Sequence, residues 1–274
     1  MNTDTKPVFT DIIYEKADGI AEITINRPDS YNSVTRHSLE EMTAAFTDAS
    51  EDAEIGVIIL TGAGEKSFCS GGNMQAISER TSNVKRNHIR SMGHLAMAIR
   101  NAGKPVIAAV NGYSIGLGHE LHLICDITIA AEHAKFGQTG PKMSSVPVWS
   151  ATQILHRTVG EKRAREILYF CRQYTAKQAL DWGLVNHVVP MSELRATARA
   201  WAVELLEKSP TSLRIAKIAF NAESDQSFWG GMFAGGEMLA QHIDTEEFVE
   251  GPAAWLEKRK PNFQKFRVNK TKPG

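Results

Sequence analysis

The sequence is poor in cysteine, and the few cysteines it has exclude two classes of small stabilised protein. Cys69, Cys125 and Cys171 are widely spaced and form neither a CxxC pair nor a mixed Cys/His cluster. Neither a disulfide framework nor a zinc site is therefore indicated, and we expect no bound metal. Isolated, reduced thiols of this kind are typical of a cytoplasmic protein.

An imbalance of charge and a long apolar run are also missing. Lysine plus arginine and aspartate plus glutamate each number 31 in 274 residues, a balance without the basic footprint of a nucleic-acid or membrane-surface binder. No run approaches the ~18 apolar residues of a membrane span, and the polar N-terminus lacks an export segment. With 42% hydrophobic residues, we expect a globular cytoplasmic protein that binds neither nucleic acid nor membrane.

Strands and helices alternate along the first two hundred residues. Residues 20–28 alternate apolar and polar side chains, and the continuous apolar runs at 55–64 and 104–112 predict buried strands. Further patterns predict strands at 126–132 and 184–190 and helices at 38–52, 89–102, 162–170 and 175–183. From residue 191 onward nearly everything is helical in pattern. The alternation predicts repeated ββα units, a mostly parallel sheet and a helical C-terminal region.

Two strand-to-helix junctions are rich in glycine. One leads from the strand at 55–64 to Gly71-Gly72, and the other leads from the strand at 104–112 to Gly116-Leu117-Gly118. A glycine turn that enters a helix leaves the first N–H groups unpaired, and such donors attract negative charge. The turns either serve packing or bring two backbone donors to one developing oxyanion. Dinucleotide and phosphate-loop spacings are absent, which disfavours phosphate binding by these glycines.

Five segments together resemble the crotonase superfamily, also called the enoyl-CoA hydratase/isomerase family. They are EITINRPDSYNSV, VIILTGAGEKSFCSGGNMQAI, KPVIAAVNGYSIGLGHELHLICDITIAAEHAKFGQ, TAKQALDWGLVNHVVP and EKRKPNFQKF. They occur in family order and cover nearly the whole chain. Within the superfamily, FCSGGN, FGQTGPKM and EKRKPNFQKF are most similar to dihydroxynaphthoyl-CoA synthase and ketocyclohexanecarboxyl-CoA hydrolase, which close or open a ring on an acyl-CoA.

The resemblance implies an α/β crotonase spiral of stacked ββα units. Residues 1–200 would form the spiral core with the active site, and residues 201–274 would form a C-terminal helical region used for trimerisation. The expected assembly is a homotrimer or homohexamer. The expected partner is an acyl-CoA thioester, and no separate cofactor is implied because coenzyme A is part of the substrate.

The resemblance also assigns catalytic roles. The backbone N–H groups of Gly72 and Leu117 would hold the thioester oxygen of an enolate, although Leu117 stands where the family usually has glycine. Glu120 corresponds to one of the two catalytic glutamates of an enoyl-CoA hydratase. The second glutamate position falls on Gly140, and the aspartate of the ring-closing and ring-opening relatives falls on Pro147. The alternative role for Glu120 is an ion-paired carboxylate at a helix start.

Substrate contacts follow from the same resemblance. The segments 26–30 and 69–73 would hold the pantetheine and adenine, basic residues would meet the phosphates, and Trp149 would form an apolar wall against the acyl group. His119 and His122 are interpreted as packing or subunit-interface residues. The predicted substrate-binding residues are Asn26, Arg27, Ser30, Cys69, Ser70, Gly71, Asn73, Met74, Gly116, Gly140, Ser145, Pro147, Trp149 and Lys260.

Three functions remain open from the sequence. The first is an enoyl-CoA hydratase/isomerase-type reaction in which Glu120 is the acid/base. The second is a ring-opening hydrolase or ring-closing lyase, although Pro147 lacks the carboxylate of those relatives. The third is a non-catalytic paralogue that binds acyl-CoA.

Overall fold

A computed structural model describes residues 8–73 and 81–267. Its strands are β1 (Ile12–Ala17), β2 (Ile20–Ile25), β3 (Val57–Gly62), β4 (Ser67–Cys69), β5 (Val106–Val110), β6 (Tyr113–Ile115), β7 (Ile127–Ala131), β8 (Lys135–Gly137), β9 (Gln173–Thr175) and β10 (His187–Val189). Its helices are α1 (Arg36–Glu51), α2 (Ser82–Arg100), α3 (Leu117–Leu123), α4 (His156–Val159), α5 (Glu161–Phe170), α6 (Ala176–Asp181), α7 (Leu194–Leu206), α8 (Pro210–His242) and α9 (Glu246–Leu256).

The strands form two sheets. The larger has the order β1-β2-β3-β5-β7-β10 and the smaller has the order β4-β6-β8-β9. Among the described strands, only the β1–β2 and β8–β9 pairs are antiparallel. The β1–β2 hairpin turns at Asp18-Gly19, both with positive φ. Three times in succession a strand of the larger sheet is followed by a strand of the smaller one: β3 and β4, β5 and β6, β7 and β8. The predicted mixed α/β spiral with a mostly parallel sheet is confirmed.

The continuous apolar runs of β3 and β5 are explained by burial on both faces of the larger sheet. Ile58 and Leu60 face the main core, whereas Val57 and Ile59 face a second apolar cluster. That cluster includes one side of α7, whose small Ala198 and Ala202 let the helix approach the sheet closely. Burying each large aliphatic side chain contributes roughly 1.5–3 kcal/mol, so these two layers hold the spiral together.

The C-terminal region is helical, as predicted. The 33-residue helix α8 packs against α2, and α9 packs against the 3-10 turn Pro141–Met143. The expected division at residue 200 falls within α7, and both this division and the role of the region in trimerisation stay predictions. Within residues 8–73 and 81–267, no helix combines the length and apolar character that crossing a membrane requires.

Candidate active site

A cavity of about 690 Å³ lies at one edge of the smaller sheet. Its wall includes the segments that directly follow β4, β6 and β8, which are neighbouring parallel strands. Because the carboxyl ends of parallel strands meet at one edge of a sheet, three loops far apart in sequence come together there. Side chains of α2, α8 and α9 complete the wall, among them Ile89, Leu239 and Trp255.

The two glycine junctions make direct contact. A Cβ on Gly118 would lie 1.9 Å from the carbonyl oxygen of Cys69, and a Cβ on Gly71 would lie 3.7 Å from the Leu117 nitrogen. Gly71 has a φ of +111°, a conformation that favours glycine. The absence of side chains at Gly71 and Gly118 thus allows the loop after β4 to lie against the start of α3.

The N–H groups of Gly72 and Leu117 are both available. Gly72 pairs with Val34 as an isolated parallel bridge, in which the Val34 N–H donates to the Gly71 oxygen and the Asn73 N–H donates to the Val34 oxygen. The N–H of Gly72 therefore faces away from Val34. Leu117 is the first residue of α3, where an N–H has no partner within the helix. Among the described residues, neither N–H makes a hydrogen bond.

Glu120 is buried in the wall of the cavity and is held through one of its two oxygens. Oε1 accepts hydrogen bonds from the backbone N–H groups of Trp149 at 2.9 Å, Ser150 at 2.9 Å and Ala151 at 3.2 Å. Oε2 makes no hydrogen bond within the described part of the chain. The predicted alternative is an ion-paired carboxylate; no ion pair within 4 Å involves Glu120 in residues 8–73 and 81–267, although the charge of Lys85 acts on it.

The pKa of Glu120 reflects a competition between burial and hydrogen bonding. Burial raises the pKa to about 7, although the N–H groups of Ser150, Ala151 and Trp149 and the charge of Lys85 pull it downward. A carboxyl group with a pKa near 7 can both take up and release a proton at neutral pH. Glu120 thus combines a fixed position with the protonation behaviour of an acid/base catalyst.

This pKa predicts how folding stability depends on pH. The ordinary value is 4.5 and the folded-state value is about 7, so the folded chain binds the proton more tightly. This tighter proton binding stabilises the folded chain by on the order of 3 kcal/mol. The stabilisation is fully present below about pH 4.5 and is lost as the pH rises through 7. Urea unfolding of the native protein and Glu120→Gln should therefore give equal free energies at pH 4 and a more stable variant at pH 8. A difference that does not change with pH would contradict the raised pKa.

Most of the predicted site residues lie on the cavity wall. Besides Glu120, Gly72 and Leu117, they are Ser30, Ser70, Gly71, Asn73, Gly116, Gly140, Ser145 and Pro147. Their roles toward a substrate stay predictions. Met74 lies outside the described residues. As far as the structure describes the wall, it does not include Asn26, Arg27, Cys69, Trp149 or Lys260.

Trp149 and Cys69 belong to the core instead of the cavity surface. The indole of Trp149 is fully buried and its Nε1 donates to the Met92 oxygen at 2.8 Å, so the predicted apolar wall against the acyl group is wrong. The contribution of Trp149 to the site is its backbone N–H, which binds Glu120. Cys69 is also fully buried, and its carbonyl oxygen is packed against Gly118.

The basic residues predicted for the phosphates are directed elsewhere. The Arg27 guanidinium forms an ion pair with the Asp11 carboxylate at 3.1 Å. The neighbouring Asn26 donates its backbone N–H to the backbone carbonyl oxygen of Asp11. Both residues are thereby tied to the segment before β1. Lys260 is exposed, away from the described cavity wall.

The structure adds wall residues that the sequence motifs did not reveal. Lys85 and Lys142 bring positive charge to the cavity, and Gln138 follows β8 directly. A second depression of about 470 Å³ shares Tyr31 with the cavity. Its other lining residues are Glu65, Lys66, Tyr113, His133, Lys135 and Met191. The FGQ motif in the sequence could have indicated Gln138 as a site residue. The cluster of Lys66, His133 and Lys135 could not be predicted, because pairing between strands far apart in sequence brings these residues together.

His119 and His122 are fully enclosed, in agreement with their interpretation as packing residues. Their rings lie 5.0 Å apart, and both contact Phe136. Burial lowers the pKa of His119 to about 3, and burial together with His119 lowers the pKa of His122 well below its usual value. Both side chains are therefore neutral. No group of three or more His, Cys, Asp or Glu side chains suited to a metal ion occurs within 8–73 and 81–267.

Comparisons with known proteins agree on one family. The profile of the family described as "Enoyl-CoA hydratase/isomerase" matches residues 15–267. An enoyl-CoA hydratase from Bacillus anthracis is 33% identical, with a TM-score of 0.76 over 92% of this chain and 98% of that one. An enoyl-CoA hydratase from Mycobacterium avium subsp. paratuberculosis K-10 is 30% identical, with a TM-score of 0.82 over 94% and 99%. An enoyl-CoA hydratase/isomerase from Xanthobacter autotrophicus Py2 is 30% identical, with a TM-score of 0.83 over 93% and 100%.

Proposed function

Because this chain belongs to the enoyl-CoA hydratase/isomerase family, we propose that it is an enzyme that stabilises the enolate of an acyl-CoA thioester. The N–H groups of Gly72 and Leu117 hold the thioester oxygen, and Glu120 exchanges a proton with the acyl chain or with a water. Fixed backbone donors of this type stabilise a developing oxyanion strongly because they need no reorganisation during the reaction.

The observation that carries the proposal is the arrangement of Glu120. Three backbone N–H groups immobilise Oε1, and Oε2 stays available in the wall of the cavity that also contains Gly72 and Leu117. An acid/base catalyst needs both a fixed position and an oxygen free to meet the reacting group. In the buried Glu41, by contrast, both carboxylate oxygens accept backbone N–H groups.

Glu120 is the only carboxylate on the cavity wall as far as residues 8–73 and 81–267 describe it. The remaining charged groups on the described wall are Lys85 and Lys142, and the wall positions Gly140 and Pro147 carry no acid. We therefore propose a reaction in which one group moves the protons: hydration of an enoyl-CoA, with Glu120 activating the water and returning its proton to the α-carbon, or isomerisation of the double bond. Ring cleavage by water is the less supported alternative. The ring-cleaving enzymes that this chain resembles use a carboxylate at the position of Pro147.

The second depression is the proposed site for the coenzyme A end of the substrate. Tyr31 borders both hollows, so a pantetheine arm can pass from the thioester to a region that contains Lys66, His133 and Lys135. These side chains can meet phosphate oxygens, and the edge-to-face pair of Tyr31 and Tyr113 offers aromatic surface to an adenine. This assignment replaces Arg27 and Lys260 as the phosphate partners.

A panel of thioesters tests the function. We expect turnover of crotonyl-CoA, measured as the loss of the conjugated thioester absorbance, and no cleavage of 2-ketocyclohexanecarboxyl-CoA. The same crotonyl group on N-acetylcysteamine should have a much higher KM because it cannot reach Tyr31 and the depression beyond it. Cleavage of the ring substrate alone would establish the alternative reaction. Tight binding of acetoacetyl-CoA without turnover of any thioester would establish the non-catalytic paralogue.

A further inference from the structure

The Gln138 side chain contacts residues on both sides of Leu117, namely Gly116 and His119. Its Nε2 donates to the Gly116 carbonyl oxygen at 3.2 Å and lies 3.2 Å from Nδ1 of His119. Gln138 is 1% exposed and His119 is 0% exposed, so both contacts are shielded from water. Gln138 borders the cavity, whereas His119 is not on the described wall. His119 can therefore influence a bound substrate only through its neighbours.

The Gly116 carbonyl fixes the direction of the Leu117 N–H. Both groups belong to one peptide unit, which is trans because no cis bond occurs in the described chain. In a trans unit the C=O and N–H point in opposite directions. A hydrogen bond that holds the Gly116 oxygen on one side therefore holds the Leu117 N–H on the other. The same bond polarises the unit and strengthens the N–H as a donor.

The backbone at Gly116 makes this support necessary. Its φ of 58° and ψ of −119° form a conformation that few residues other than glycine adopt. Such a unit keeps one orientation only where its surroundings determine it. Three hydrogen bonds do so: from the Gly116 N–H to the Gly137 oxygen, and from the Glu120 N–H and Gln138 Nε2 to the Gly116 oxygen.

His119 supports the orientation in which the Gln138 amide nitrogen faces the Gly116 oxygen. With that nitrogen donating to the Gly116 oxygen, the neutral His119 accepts at Nδ1 in the tautomer that carries its proton on Nε2. An amide turned around would place its oxygen against the Gly116 oxygen, another acceptor, and would require the opposite tautomer of His119. The observed orientation leaves Gln138 Oε1 and His119 Nε2 without partners among the described residues.

We propose that Gln138 is a positioning residue that aims and polarises the Leu117 N–H, and that His119 holds the Gln138 amide in the orientation required for this. The inference rests on the proposed oxyanion role of Leu117. It adds a second layer of residues behind the donor, reaching from the cavity wall into the core.

The test compares four variants of the full-length protein. His119→Phe removes the acceptor and retains an aromatic ring, and His119→Asn restores an acceptor close to the position of Nδ1. Gln138→Met retains the length of the side chain without its donors. His122→Phe is the matched control, because His122 is equally buried and packs on the same Phe136, while its Nδ1 lies 3.3 Å from Thr128 Oγ1.

The readout is the carbonyl stretching frequency of bound hexanoyl-CoA labelled with carbon-13 at the thioester, recorded by difference infrared spectroscopy. This saturated thioester cannot be hydrated, so the frequency reports on the donors and not on turnover. Binding to the native protein should lower the frequency. His119→Phe and Gln138→Met should lose much of that shift and about tenfold in kcat, a fraction of the loss caused by deleting one oxyanion donor. His119→Asn should recover most of both quantities, and His122→Phe should match the native protein.

The outcomes separate this inference from the proposed function. If the native protein binds hexanoyl-CoA without any frequency shift, the oxyanion function fails and the positioning role fails with it. If the native shift is present and His119→Phe and Gln138→Met retain it, only the positioning role is refuted. Equal losses in His119→Phe and His122→Phe would mean that core packing, and not the hydrogen bond to Gln138, is responsible.

Discussion

Replacing Glu120 with glutamine should lower kcat by about 10²–10⁴-fold, the range that a positioned acid/base catalyst contributes. Glutamine has the same shape, and its side-chain oxygen can still accept the N–H groups of Trp149, Ser150 and Ala151. It cannot take up or release a proton near neutral pH. The loss should therefore appear in kcat, measured with crotonyl-CoA, while the Kd of hexanoyl-CoA changes little.

Glu41→Gln provides a matched control for this variant. Glu41 is also buried and also binds backbone N–H groups, those of Thr10, Asp11 and Ile12, but it is not on the described cavity wall. It should leave kcat unchanged. Native activity in Glu120→Gln would remove Glu120 from the mechanism, and a similar loss in both variants would trace the effect to folding.

Gly118→Ala should have the second-largest effect, on stability and activity together. The new Cβ would lie 1.9 Å from the Cys69 oxygen and 2.7 Å from the Cys69 carbonyl carbon. Both are backbone atoms, so the loop after β4 must move away from α3. We expect the free energy of unfolding to fall by about 3 kcal/mol, at the upper end of the usual cost of overpacking. A displacement of about 1 Å between Gly72 and Leu117 should also lower kcat by about a hundredfold.

Gly230→Ala is the corresponding control. Gly230 lies within α8, and a Cβ built there meets no atom within 4 Å. Alanine should stabilise this helix by up to about 1 kcal/mol, since glycine is the weaker helix former. Urea unfolding of the two variants should thus show changes of opposite sign. A Gly118→Ala protein with native stability and native kcat would contradict the close contact between the glycine junctions.

The sequence predicts best the strands whose hydrophobic pattern directly reflects their burial in the fold. Within the runs at 55–64 and 104–112, residues 57–60 and 106–110 are apolar throughout because β3 and β5 are covered on both faces. The parallel order of their strands then brings the loops after β4, β6 and β8 to one edge. This order brings together two glycine junctions about 45 residues apart, which the sequence offered either as packing turns or as joint oxyanion donors.

The parts that sequence did not predict depend on contacts between distant segments. Glu120 is held by backbone groups 29 to 31 positions away, and backbone N–H groups carry no signature in the residue types at 149–151. Arg27 was predicted to meet phosphate because its charge is visible in the sequence, but its pairing with Asp11 is not. Leu239 and Trp255 reach the cavity from the C-terminal helices, where no local motif marks them.

The order of β4, β6 and β8 separates two tasks of the active site. The loops after β4 and β6 contain Gly72 and Leu117, while most residues of the segment 138–148, which follows β8, line the cavity. Backbone N–H groups survive almost any substitution, whereas side chains do not. Under the proposed function, a chain of this fold could therefore carry an acidic residue in place of Gly140 or Pro147 and keep the backbone donors to the thioester oxygen. Reaction type and thioester binding would then depend on different turns of the same spiral.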